Sequence, residues 1–492
     1  MKHRAYKNLF PAPCSLKNQG GYLSLTVLIF GTIAIIILSG LIIWADANLK
    51  SAHRSTDQAL AFRIAEAGIE YYRWHLAHAP ADFQDGSGQP GPYVHDFYDK
   101  NGALLGTYTL EITPPPPGST VVNIKSTGKV QIDPSIEKEI EVKLAKPSFA
   151  KYAAVLNANV RFGAGTEVFG PVHSNGGIYF DGLAHNIVTS AVASYDDPDH
   201  SGGNDFGVHT HVAPVDPLPP AAVPNRPDVF ESGRQFPVPA VDFVGITQSL
   251  ANIKADAQAS GFYRASSGAN GYDIVLKTDD TFDLYRVNTL VAPPSGCTNY
   301  FNQSGWGTWS IQGETLLGNY PIPVNGLIFI EDNAWVRGIV NTARVMIASG
   351  RFPDNPTTRS SITTNADLLY SNYDGQDSVG LMAQRDINIG MVSDTDLRVD
   401  AALIAQNGRV GRYYYRPPGG GSQRCSPYHL RNSITSFGMI GSNQRYGFRY
   451  VLDGTGYQDR FLIYDANLLY APPPGFPLTS DYYEQIFWEE TK

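Results

Sequence analysis

Side chains able to do chemistry gather most densely in one stretch, YDDPDHSGGNDFGVHTHVAPVD, residues 195–216. Asp197, Asp199, Ser201, Gly202 and Asp205 fall at positions 1, 3, 5, 6 and 9 of a calcium-loop spacing. Alternate oxygen ligands spaced in this way can curl around a hard cation, and the glycine permits the turn. Val208 stands at position 12, where a bidentate glutamate belongs, so the match is partial; a solvated polar loop explains the same residues. His209 and His211 could add softer ligands, but His-x-His in a loop is a weak zinc signal, and both are expected to be exposed. A structural calcium is the one cofactor suggested.

Other chemical signatures are missing. The chain has no H-E-x-x-H, phosphate-loop, G-x-S-x-G or C-x-x-C motif, and Lys129 in STGKV lacks the upstream glycine of a phosphate loop. No residue is therefore assigned catalysis, and the chain is expected not to be an enzyme. Cys14 precedes a long apolar run, whereas Cys297 and Cys425 follow it. If the bulk of the chain is exported to an oxidising space, these two could form a disulfide; otherwise they are two thiols. With 17% charged residues and a net charge of -9, there is no electrostatic footprint for nucleic acid. The 48 Gly, 34 Pro, 28 Tyr and 23 Phe favour short strands joined by turns over long helices.

The elements that carry these residues begin with an uncharged run, Tyr22 to Ala45. As a helix it would be about 36 Å long, enough to cross a bilayer core of about 30 Å. Lys2, Arg4, Lys7 and Lys17 precede it without an acid, which keeps the N-terminus cytoplasmic and places everything after Asp46 outside. Ala45-Asp46-Ala47 has the shape of a signal-peptidase site, but the run exceeds the roughly 7–15 apolar residues of a secretory signal. An anchor or a differently processed leader fits better. Beyond Ala45 the pattern turns amphipathic: Leu49, Ala52, Thr56, Leu60, Ile64, Ala67, Tyr71 and Trp74 follow at steps of three or four and share one helix face. Ala79-Pro80 ends it. Three alternating stretches follow, LLGTYTLEIT, STVVNIKSTGKV and IEKEIEVKLAK, with the period of two of half-buried strands.

A short basic leader, Gly20-Gly21, then Tyr22 and an unbroken apolar helix resemble the prepilin class III family, in which cleavage follows a glycine. That family's usual pattern has a Glu five residues into the mature chain. Here the fifth residue is Thr26 counted from Tyr22, or Leu25 counted from Gly21. Some minor pilins of the family also lack the Glu, so the resemblance implies an accessory or tip subunit over a shaft subunit. ALAFRIAEAGIEYYRWHLA is similar to the N-terminal region of PilX-type type IV pilus assembly proteins and to pseudopilin K of type II secretion. Their Ala-Glu-Ala-Gly-Ile/Val-Glu run is matched by Ala65, Glu66, Ala67, Gly68, Ile69 and Glu70. The resemblance covers roughly the first 80 residues. It implies a membrane-anchored minor subunit of a type IV pilus or type II secretion-like assembly, with Ala65–Glu70 at the packing contact. The partners it implies are other pilins or pseudopilins, the lipid bilayer, and a surface carbohydrate or protein receptor for the head.

From about residue 149 short apolar bursts are punctuated by Gly, Asn and Asp. A quartet of two large apolar residues, a small one and a short polar one recurs as Met346–Ser349, Leu381–Gln384, Leu403–Gln406 and Met439–Ser442, at intervals of 35, 22 and 36 residues. The shorter interval suits one coil of a β-solenoid, with the small residue at a corner and Gln/Ser in a ladder. Chance similarity among sandwich strands is the alternative. VGITQSLANIKADAQASG reads as a helix with Ile246, Leu250, Ile253 and Ala257 on one face and Gly261 as its stop.

The expected fold is mainly β behind a long N-terminal transmembrane-plus-amphipathic helix. Its parts are a leader (1–21), a spine helix (22–80), a pilin-like antiparallel meander (81–148) and a β-solenoid-like exported domain (149–492) with an insertion at about 212–290. The competing expectation is an anchored β-helix enzyme or binding protein acting on polysaccharide. That would need two or three acids with Arg or Lys on one solenoid face. The aromatic runs RYYYRPP and YEQIFWEE could line a carbohydrate face or cap coils.

Overall fold

A computed structural model describes residues 20–116, 119–198 and 200–492, without the side chains of 20–21 and 244–249. Its first element is one continuous helix, α1 (Gly20–His78), of 59 residues, about 88 Å at the usual rise. From Tyr22 to Leu49 every residue of α1 is exposed, and this stretch is long and apolar enough to cross a membrane. Its hydroxyls are satisfied within the helix: Thr26 donates to the Tyr22 carbonyl at 2.7 Å and Ser39 to the Ile35 carbonyl at 2.7 Å.

The second half of α1 lies on an antiparallel sheet of β1 (Tyr93–Tyr98), β2 (Leu104–Thr113), β3 (Val122–Val130) and β4 (Glu137–Ala145) in sequential order. Alternation puts Tyr108, Leu110, Val122, Ile124, Ile140, Val142 and Leu144 on the helix side. On the other side Lys125 pairs with Glu139 at 2.9 Å and Lys129 with Glu137 at 3.1 Å. A fifth strand comes from the end of the chain: Glu484–Glu490 pairs antiparallel with β4 and covers an edge that would otherwise be open. Neither β1 nor this last strand is anticipated by the sequence pattern.

The larger body is a β-solenoid-like stack of parallel strands whose order differs from chain order. Strands 262–264, 327–330, 344–349, 378–383, 396–405 and 430–442 pair successively in parallel. The end of strand 430–442 then pairs with 154–156, which pairs with 172–174 and so on to 188–190 and 234–235. The chain thus enters the stack in its middle, builds outward to 235, crosses to the far end at 262 and winds back to its entry point. The two β-rich blocks that the proline-rich segment separates in sequence form one stack. Strands 262–264 and 271–276 are rungs of it, so this part of the 212–290 segment belongs to the stack.

Register corrects the quartet reading. Leu381, Met382 and Ala383 face Leu403, Ile404 and Ala405, but Ile347 faces Leu381 and Leu403 faces Ile440. The first and fourth quartets are therefore displaced by one residue. Because faces alternate with period two, this brings Ile347, Leu381, Leu403 and Ile440 together in the interior. Ala348, Met382 and Ile404 point outward instead, under α2 (Val244–Ser260), whose Leu250, Ile253 and Ala257 cover them together with Phe149, Leu468 and Phe476. No Gln/Ser ladder forms, since Ser349 and Ser442 align with Ala383 and Ala405.

Candidate functional site

Four places could carry function: the spine–head contact, a carboxylate–imidazole cluster, and two clefts in the stack. The first is built by small residues. A Cβ on Gly68 would stand 2.4 Å from Ser126 Oγ and 2.9 Å from Tyr108, and one on Gly128 would stand 2.2 Å from the Ala61 carbonyl and 2.5 Å from the Ala65 nitrogen. Helix and strand each give up a side chain so that their backbones meet. The face so docked is Ala61, Ile64, Ala65, Gly68, Ile69, Tyr72 and Leu76. It is rotated from the expected face, on which Leu49 and Trp74 prove about 60% exposed. Close approach selected Ala and Gly where the periodicity argument weighted bulk. Of the run Ala65–Glu70, Ala65, Gly68 and Ile69 are occupied by the chain's own sheet, Ala67 is half-buried, and Glu66 and Glu70 face outward. Gly20 and Gly21 open α1 and Tyr22 is exposed on it; residues 1–19, with Cys14, lie outside the described residues.

Of the calcium-loop residues, Asp197 and Asp205 are brought together. Ser201 is exposed, and Asp199 lies outside the described residues. Asp205 instead belongs to the short strand Asp205–Phe206, paired with Ser194–Tyr195, and Val208-His209 pairs in parallel with Ile178-Tyr179. This folds Asp197, Asp205, His209 and His211 together, with one ligand atom from each within 4.8 Å of all the others. His209, expected to be exposed, is 1% exposed. It lies between the rings of Tyr179 at 5.2 Å and Tyr195 at 5.5 Å. Its Nε2 is 3.3 Å from Asp197 Oδ2 and 4.0 Å from Asp205 Oδ1. Burial pushes the His209 imidazolium towards its neutral form, opposed by the charges of Asp205 and Asp197. The signal available in sequence was two acids and two histidines on either side of a glycine-rich turn.

One cleft, of about 590 Å³, is lined by Arg161, Arg409, Arg445, Arg449 and Arg460, with Phe301 and Tyr450. Asp453 is the one acid among its described lining residues, and it accepts from the Tyr414 hydroxyl. Arg409 Nη2 and Arg449 Nε are buried without a hydrogen-bond partner. The other cleft, of about 410 Å³, brings Asp273, Glu314 and Asp394 beside Arg337 and Trp335. Asp273 Oδ2 accepts from Arg337 Nε at 3.1 Å and Nη2 at 2.9 Å. Burial pushes the Asp273 carboxyl up to about 6; Arg337 pulls it down and the Glu314 carboxylate adds to the rise. Asp273 and Glu314 come from different strands and Asp394 from a loop, far apart in sequence, so no local pattern announces them.

Cys297 and Cys425 are joined by a disulfide, packed with Met391, Tyr413 and Tyr415. Tyr413 and Tyr415 of RYYYRPP are buried in this patch, and Tyr414 is buried against Phe301 and Tyr450. In YEQIFWEE, Trp488 packs edge-on against Phe62 of α1, ring centroids 6.2 Å apart.

No family model matches the chain, and no curated protein matches it. Among solved structures it is similar to the competence-associated pilin ComZ from Thermus thermophilus, at 12% identity and a TM-score of 0.29, covering 88% of this chain and 98% of that one. At that score the likeness establishes neither fold nor function.

Proposed function

We propose that the chain is a membrane-anchored, pilin-like minor subunit of a type IV pilus or type II secretion-like assembly, with a large exported head. One observation carries this reading: α1 is a single helix whose second half is sewn to the head while its first half is apolar and uncovered by the chain. An uncovered apolar helix of this length calls for lipid or for the helices of neighbouring subunits. The N-terminus lies on the cytoplasmic side, the head outside, and the PilX-type run contributes Glu66 and Glu70 to neighbours. The chain acts by contact and not by catalysis. Its head is adhesive or tip-capping, and the arginine-lined cleft suits an anionic surface carbohydrate or protein receptor.

N-terminal sequencing of the membrane-inserted chain, with and without a prepilin peptidase, tests the reading. Cleavage beside Gly20 or Gly21, dependent on that peptidase, is expected. An intact N-terminus, or a cut after Ala47 in the middle of α1, would refute the processed-pilin reading. A second reading, an anchored enzyme acting on polysaccharide, draws on the cleft where Asp273, Glu314 and Asp394 meet Arg337. Sugar release from surface polysaccharides that Glu314→Gln abolishes would favour it.

A further inference from the structure

We propose that Asp197, Asp205, His209 and His211 form a site for a zinc-class divalent transition-metal ion that clips Asp197 to the wall of the stack. The spacing approaches that of a coordination shell. Tetrahedral bonds of about 2.0–2.1 Å put ligand atoms about 3.3–3.4 Å apart. His209 Nε2 and Asp197 Oδ2 are 3.3 Å apart, and Asp205 Oδ1 is 4.0 Å from the same nitrogen.

The independent observation is the imidazole itself. His209 Nε2 is buried without a hydrogen-bond partner, in a side chain 1% exposed, and His211 Nε2 is a further buried nitrogen without one. Buried polar groups are otherwise almost always satisfied, and with a ligand nitrogen of each histidine within 4.8 Å of both carboxylates, a cation would satisfy them.

Supporting contacts hold the ligands in place. His200 Nδ1 lies 2.9 Å from Asp205 Oδ1 and 3.1 Å from Oδ2. The His211 backbone N–H donates to Asp181 Oδ1 at 2.9 Å, and the Tyr179 ring is stacked on His209 with its plane tilted by 10°.

The donor set selects the metal. Calcium takes six to eight oxygens, roughly, whereas two imidazoles with two carboxylates suit zinc and its first-row neighbours. The proposal does not depend on the assembly reading, since the four residues lie in the stack and not on α1.

The test uses the full chain in detergent, stripped with chelator and titrated calorimetrically with zinc chloride alone, then with calcium chloride. One zinc per chain is expected, with at least a tenfold loss of affinity in His209→Gln and His211→Ala and none in His53→Ala on exposed α1. Folding of each variant is checked by far-ultraviolet circular dichroism; should His209→Gln not fold, the partly exposed His211→Ala decides. Absence of zinc binding to the folded wild-type chain, preference for calcium, or unchanged affinity in the folded histidine variants would overturn the proposal.

Discussion

Gly128→Ala separates close-approach packing from strand propensity, because the two predict opposite signs. In a strand, replacing Gly by Ala gains roughly 0.5–1 kcal/mol from reduced backbone entropy. At Gly128 the added carbon would stand 2.2 Å from the Ala61 carbonyl oxygen, 2.5 Å from the Ala65 nitrogen and 3.1 Å from the Ala65 Cα. All three are backbone atoms of α1, so no rotamer change relieves them. The helix must lift by about 1 Å, and a gap of that size forfeits a quarter to a half of each contact's attraction along the interface. Overpacking costs about 1–3 kcal/mol, and a rigid opposing backbone puts this site at the upper end, about 3 kcal/mol. Native-state hydrogen exchange of the full chain in detergent reads it directly. Amides of residues 61–76 should exchange about a hundredfold faster in Gly128→Ala, with those of the stack unchanged. Gly447→Ala, whose Cβ would meet nothing within 4 Å, is the control. Unchanged or slower exchange in Gly128→Ala would refute the close-approach account of the spine–head contact.

Further outcomes follow from other sites. Asp273, raised from 3.8 to about 6, binds its proton more tightly folded than unfolded. Its contribution is fully present below pH 3.8 and is lost as pH rises through about 6. The stability difference between wild type and Asp273→Asn, from urea midpoints, should therefore change across that window; a constant difference from pH 4 to 8 would contradict it. Arg412 is fully buried and donates to the Gly390 carbonyl, to those of Met391 at 2.9 Å and Tyr428 at 2.7 Å, and to Ser393 Oγ at 2.9 Å. Arg412→Leu orphans these acceptors and should cost about 3–5 kcal/mol in urea unfolding, with a loss under about 1 kcal/mol counting against the account. Arg449→Glu in the arginine-lined cleft should weaken binding of a sulfated or uronic polysaccharide at least tenfold at low salt, and wild-type binding should fall as salt rises; salt-independent binding would exclude an electrostatic site.

What could be read in advance was whatever is encoded locally. The alternation in LLGTYTLEIT corresponds to β2, Leu104–Thr113, because one-sided burial enforces a period of two within the strand itself. The uncharged run from Tyr22 to Ala45 announced an uncovered helix because that requires no knowledge of other segments. The docked face of α1 was misread because its contact depends on Gly128 of another strand, and a glycine's missing side chain leaves no mark on the helix it admits. The cluster of Asp197, Asp205, His209 and His211 was half-visible: its residues are neighbours in sequence, but their burial is set by pairing with Ile178-Tyr179.

Sequence alone determined the long apolar helix, the antiparallel strands after it and the β-rich character of the remainder, since each follows from residue periodicity within one segment. Tertiary structure alone decided the order of the stack, the register of the quartets, the return of Glu484–Glu490 to the first sheet and the pairing of Cys297 with Cys425. Parallel pairing joins strands whose separation in the chain is arbitrary, and its specificity lies in the fit of two distant faces, which neither strand carries by itself.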